Sequence, residues 1–100
     1  MITHNGRFLL KCVFRFSANA NCKESARKLL LAASSGDEVG YTRELGYTGD
    51  FMRACAKGDM FGALFRADEL NKIALEMGMK DLFGDKKIYN EGLDSAEFTK

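Results

Sequence analysis

The stretch RFLLKCVFRF, Arg7 to Phe16, decides how the whole chain is read. Taken two residues at a time, Phe8, Leu10, Cys12, Phe14 and Phe16 fall on one side and Arg7, Leu9, Lys11, Val13 and Arg15 on the other. Successive side chains of a strand point to opposite faces, so this beat predicts a β-strand with one face buried and one partly wet. The preceding His4-Asn5-Gly6-Arg7 adds a turn signal, because Asn-Gly suits the two positive-φ positions of a type I′ hairpin.

Working outward, Asn21-Cys22-Lys23-Glu24 matches a capping box, and Ala26, Leu29, Leu30 and Ala33 recur at i, i+3, i+4 and i+7. This predicts a helix over 22–34 that stops at Ser34-Ser35-Gly36. Next comes GYTRELGYTGDF, Gly40 to Phe51, which states Gly-Tyr-Thr-x-acid-apolar nearly twice. Six is a multiple of two but not of 3.6, so the copies share a face only in an extended chain. The first copy is therefore read as a strand with Val39, Tyr41, Arg43, Leu45 and Tyr47 on one face. The second opens a short helix, with Thr48 as its cap and Gly58 past its end.

Met60 to Phe65 is apolar on both sides, and periodicity leaves strand or buried helical turn open. Asp68 then caps an amphipathic helix with Leu70, Ile73, Ala74 and Met77 inward and Gly78 as its stop. Ile88-Tyr89 is read as an edge strand, and the last ten residues as a frayed tail. The expected fold is α+β: a small antiparallel or mixed sheet of three to five strands, begun by a hairpin, with two longer helices and one short helix on one face. One domain is expected over 1–100, with a compact core over 1–84 and an edge segment and tail over 85–100, because the chain has no proline and no Ser/Gly-rich linker.

Composition narrows the function classes. Three widely spaced cysteines (Cys12, Cys22, Cys55) form neither an even disulfide set nor a close metal-binding pair, which points to reduced thiols in the cytoplasm. Lys11 interrupts the apolar stretch Phe8 to Leu10 before a signal-peptide core can form, and no apolar run approaches the ~20 residues that span a bilayer. No membrane association is expected. Residues 1–35 carry six basic side chains against Glu24 alone, and the remaining residues carry nine bases against thirteen acids. A molecule with a positive and a negative end orients an approaching partner.

Motifs that carry chemistry are scarce. Phosphate-cradling glycine loops, G-x-G-x-x-G, C-x-x-C, H-E-x-x-H and calcium-loop spacings are all missing. His4 beside a turn has no held neighbour to make it a base. Cys22, near a helix start and beside Lys23, has the setting of a stabilised thiolate but no visible base or oxyanion donors. Gly46-Tyr47-Thr48-Gly49 before a helix resembles an anion cradle, yet Asp50 already occupies that positive end. No catalytic residue, cofactor or metal site is expected.

Two surfaces remain. Arg43 interrupts an otherwise apolar face, and Tyr41, Arg43 and Tyr47 are the residue types that dominate binding hot spots. Arg7, Lys11, Arg15, Lys23, Arg27 and Lys28 form a basic set that could neutralise phosphates, although the phenylalanines alternate away from it. The leading expectation is a small cytoplasmic, non-enzymatic adaptor or inhibitor that occupies the surface of a partner protein, of the kind that phages and mobile elements carry. The alternative is a sequence-nonspecific nucleic-acid-binding protein built on the basic set.

Overall fold

The computed structural model describes residues 3–84, and these contain helices and no strand. In chain order they are α1 (His4–Phe16), α2 (Ala20–Ser35), α3 (Glu38–Gly46), α4 (Asp50–Lys57), α5 (Met60–Arg66) and α6 (Glu69–Gly84). The expected α+β fold with its three-to-five-stranded sheet is thereby overturned. The anticipated strand over Arg7 to Phe16 is a helix, as are the strand over 39–47 and the ambiguous Met60 to Phe65. Ile88-Tyr89 and the tail lie outside the described residues.

Helix α1 explains the misreading. Its cations stand four apart, a spacing that is even and also close to 3.6, so Arg7, Lys11 and Arg15 share a side in either geometry. In a helix they form one ridge with a rise of about 6 Å per step, and apolar residues cover the rest of the cylinder. Such a helix is stable only when it is enclosed. Here α2, α4 and α6 all pack against α1, while α3 packs on the outside of α2 and α5 on the outside of α4. Leu9, Leu10, Cys12 and Val13 are sealed in the core, where each leucine contributes about 2 kcal/mol. Even Lys11 is only 2% exposed, and it has a partner within the chain.

Both ends of α1 are tied to distant sequence. At the start, the Asn5-Gly6 pair makes no hairpin, because the Gly6 amide donates to Thr3 Oγ1 at 2.9 Å and begins the helix. Thr3 Oγ1 in turn donates to the Lys57 carbonyl at the end of α4, at 3.4 Å. Gly58 follows with φ of 78°, and a Cβ there would lie 2.7 Å from Thr3 Oγ1. Glycine is needed at that corner both for its backbone and for its size. At the other end, Ser17 Oγ donates to Asn71 Oδ1 of α6 at 2.7 Å, with both residues buried.

The helices that were expected are present with shifted ends. The cap of α2 is Asn19, which accepts from the amides of Asn21 and Cys22, and the anticipated cap Asn21 is already the second residue of the helix. α4 starts after Gly49, with no side-chain cap, since Thr48 Oγ1 donates instead to the Leu45 carbonyl. α6 runs past Gly78, which sits in its middle against Cys12. Its inward set is Asn71, Ala74, Leu75 and Gly78, and the larger Leu70, Ile73 and Met77 turn outward. The small residues let α6 approach α1 closely, and the Ser17–Asn71 bond fixes that rotation.

A true internal repeat emerges at 22 positions, and the six-residue doubling is not it. Gly36-Asp37-Glu38-Val39-Gly40 and Gly58-Asp59-Met60-Phe61-Gly62 are equivalent corners between helices. In each, the first glycine has positive φ, and the aspartate caps the next helix by accepting from the second glycine's amide, at 2.8 Å for Gly40 and 2.9 Å for Gly62. Burial follows the same register, with Leu29 and Phe51, Leu30 and Met52, and Tyr41 and Ala63 all inward.

The α1–α6 contact makes a direct prediction. A Cβ on Gly78 would overlap Cys12 Sγ and lie 2.9 Å from Cys12 Cβ, whereas one on Gly46 meets nothing within 4 Å. Gly78→Val should lower the unfolding free energy by about 2–3 kcal/mol. Gly46→Ala should leave it within about 0.5 kcal/mol. Urea denaturation of the two variants checks both.

Candidate functional site

The two repeat units place equivalent residues on the outside of the molecule. On α3, Val39 and Arg43 stand four apart and exposed, opposite the inward Tyr41 and half-buried Leu45. On α5, the equivalent positions are Phe61 and Phe65, which are 85% and 87% exposed, while Ala63 faces in. Residues four apart on a helix are neighbours, with Cβ atoms about 5–6 Å apart, so the two rings form one aromatic surface. The Asp59 cap and the αL corner at Gly58 orient α5 so that this side faces out. Arg66 at its end donates to the Gly62 carbonyl at 3.3 Å, and so lies along the same short helix.

The structure separates the anticipated Tyr41, Arg43 and Tyr47 patch. Tyr41 is buried, and burial pushes its hydroxyl above the ordinary tyrosine range. Arg43 points outward with Val39, which resolves why a cation interrupted an apolar face: Tyr41 and Leu45 turn to the opposite side. Tyr47, just beyond α3, is 80% exposed, at the turn where Arg53 Nη2 donates to the Gly46 carbonyl at 3.5 Å. The sequence does not mark Phe61 and Phe65 as outward, because Met60 to Phe65 lacks polar residues to label an outer side. Their four-residue spacing around Ala63 was the available signal.

The basic set is dispersed as well. Lys11 is buried, and Arg7 and Arg15 are half-buried along the side of α1. Arg27 is paired with Glu24, donating from Nε to both carboxylate oxygens at 3.1 and 3.0 Å and from Nη2 to Oε1. That pairing holds Glu24 below the ordinary carboxylate range and Arg27 above its own. Lys23 and Lys28 are the two of the six that stand exposed.

A cleft of about 200 Å³ lies where α1, α2 and α3 meet, bordered by Arg7, Ala32, Ala33, Asp37 and Tyr41. It is smaller than the roughly 300–1,000 Å³ of small-molecule pockets. Among the described residues no group of three or more His, Cys, Asp or Glu side chains could hold a metal ion. Nor is any described helix long and apolar enough to cross a membrane.

Cys22 belongs to a polar cluster that joins two corners. Asn71 Nδ2 donates to Cys22 Sγ at 3.3 Å, Asn19 Nδ2 to Asp68 Oδ2 at 3.4 Å, and the Asn19 amide to Ser17 Oγ at 3.1 Å. Asn19 and Asp68 cap α2 and α6, the Ser17–Asn71 bond fastens α1 to α6, and the Asn71–Cys22 bond ties α6 to α2. The cluster therefore reads as a fastening of the fold. No protein-family model, curated protein or solved structure matches this chain.

The thiols are free and differ in burial: Cys12 and Cys55 are sealed, and Cys22 is half-exposed. Native protein should react rapidly with a thiol reagent at Cys22 alone, and at all three cysteines after unfolding. Burial raises the Cys55 thiol far above its ordinary value of 9.0. Native Cys55 keeps its proton where the unfolded thiol loses it, so stability is full below that value and falls as pH rises above it. Cys55→Ala should flatten this alkaline decline, which thermal melts from pH 8 to pH 10 measure.

Proposed function

We propose that this chain is a small cytoplasmic binding protein, without enzymatic activity of its own, that acts as an adaptor or inhibitor by covering part of a partner protein's surface. The observation that carries the reading is the Phe61–Phe65 pair, two adjacent phenylalanines almost wholly in solvent on a short, capped helix. A single exposed apolar residue needs no explanation, but an adjacent aromatic pair costs solubility and is the anchor type that contributes most at interfaces. Elsewhere on the exposed surface, Arg43 on α3 and Tyr47 just after it add the arginine and tyrosine chemistry common at interfaces.

Three free cysteines support a reducing compartment. The basic side chains support nucleic-acid binding less well. One is buried, two are half-buried and one is paired with Glu24. Protein recognition is accordingly the reading adopted.

The test is capture from an extract of the source cells with the full chain immobilised, with and without nuclease, followed by affinity measurements on the recovered partner. The expected result is a protein that survives nuclease and binds the Phe61→Ser/Phe65→Ser variant at least about tenfold more weakly, while the variant keeps its helical circular dichroism. Capture that nuclease abolishes, with log K falling steeply with log salt, would replace this reading with phosphate binding.

A further inference from the structure

The outward side of α6 carries a pattern that the packing of the described residues leaves unused. Leu70, Ile73 and Met77 stand at i, i+3 and i+7, and are 43%, 44% and 46% exposed. Along one flank of this stripe run the exposed charges Glu69, Lys72, Glu76 and Lys80. Among the described residues none of these four side chains is held in an ion pair or hydrogen bond.

The order acid, base, acid, base becomes its own complement when the helix direction is reversed. Two copies of α6 placed antiparallel, with the crossing near position 74, set Glu69 against the second copy's Lys80 and Lys72 against its Glu76. A two-fold axis perpendicular to both helices maps this flank onto the facing flank, so each pairing occurs twice. The same operation brings Leu70 over the second copy's Met77 and Ile73 beside its own equivalent. In a parallel pair the two-fold axis runs along the helices and turns this flank toward the other side of the partner's stripe, so none of these charges meets its complement. Charge order and apolar stripe thus select one occupant and one orientation.

We propose that α6 is a self-association surface, through which two copies of this chain pair antiparallel about a two-fold axis near Ile73. The face is a single helix about 24 Å long, short of the roughly 800 Å² per partner of stable complexes. The dimer is therefore weak and concentration-dependent, with a Kd on the order of 10–100 µM. It is separate from the α5 surface, so the Phe61→Ser/Phe65→Ser variant dimerises normally whatever becomes of partner binding.

Analytical ultracentrifugation of the full chain from low micromolar to millimolar concentration tests the proposal. The wild type should pass from monomer to dimer, and Lys72→Glu should weaken the dimer about tenfold by placing glutamate against glutamate twice. Lys72→Glu/Glu76→Lys exchanges the signs, keeps the complementarity, and should restore the wild-type constant, an outcome that mere surface damage does not produce. A monomer at every concentration overturns the proposal and leaves the face to residues 85–100 or to a different protein. A dimer indifferent to Lys72→Glu, or one that the double exchange fails to restore, overturns it as well.

Discussion

A helix that is apolar around most of its circumference cannot stand at the surface of a protein, and that constraint on α1 organises everything else. Hydrocarbon on several sides demands neighbours on several sides, and α2, α4 and α6 supply them. The remaining helices pack outside these, α3 chiefly on α2 and α5 on α4. Hydrogen bonds at the two ends of α1 set its position along its axis. One reaches Lys57 from Thr3 and the other reaches Asn71 from Ser17, so each closes a contact between residues 54 apart in sequence.

How much of this was legible follows from particular residues. α2, α4 and α6 carry readable punctuation, in the capping asparagine region, the positive-φ glycines Gly36 and Gly58, and the Asp68 cap; α2 and α4 lie within two or three residues of the expected bounds, whereas α6 starts as expected and runs on past its expected stop at Gly78 to Gly84. α1 was misread because its charges repeat every four residues, which satisfies the strand beat and nearly satisfies the helix turn; only the presence of three covering helices decides between them, and that is a tertiary fact. α3 has nine residues with Tyr41 buried and Leu45 half-buried on its inner side, and α5 has seven. Segments that short pass through barely two turns, too few for a period to declare itself. The Gly-Asp-x-x-Gly corners at 36–40 and 58–62 were visible in the sequence and would have corrected both.

The same arithmetic governs the candidate surfaces. Arg43 seemed anomalous because a strand reading put it among tyrosines; on a helix it lies opposite Tyr41 and needs no carboxylate. Phe61 and Phe65 seemed unremarkable in an apolar run, yet on a helix they are the residues left outside. Leu70, Ile73 and Met77 were assigned to the core on good amphipathic spacing. The inner side goes instead to Asn71, Leu75 and Gly78 beside the expected Ala74, and the small Ala74 and Gly78 give α6 a closer seat on α1. Apolar residues that lose the competition for the core remain on the surface, where recognition can use them.

Native-state amide hydrogen exchange is the measurement that bears most directly on the enclosure of α1. If three helices seal it, the amides of Leu10, Cys12 and Val13 open only when the whole molecule unfolds, and they exchange more slowly than those of the outer helices α3 and α5. If those amides exchange as fast as the ones in α5, α1 is not the enclosed centre of the fold and the account fails.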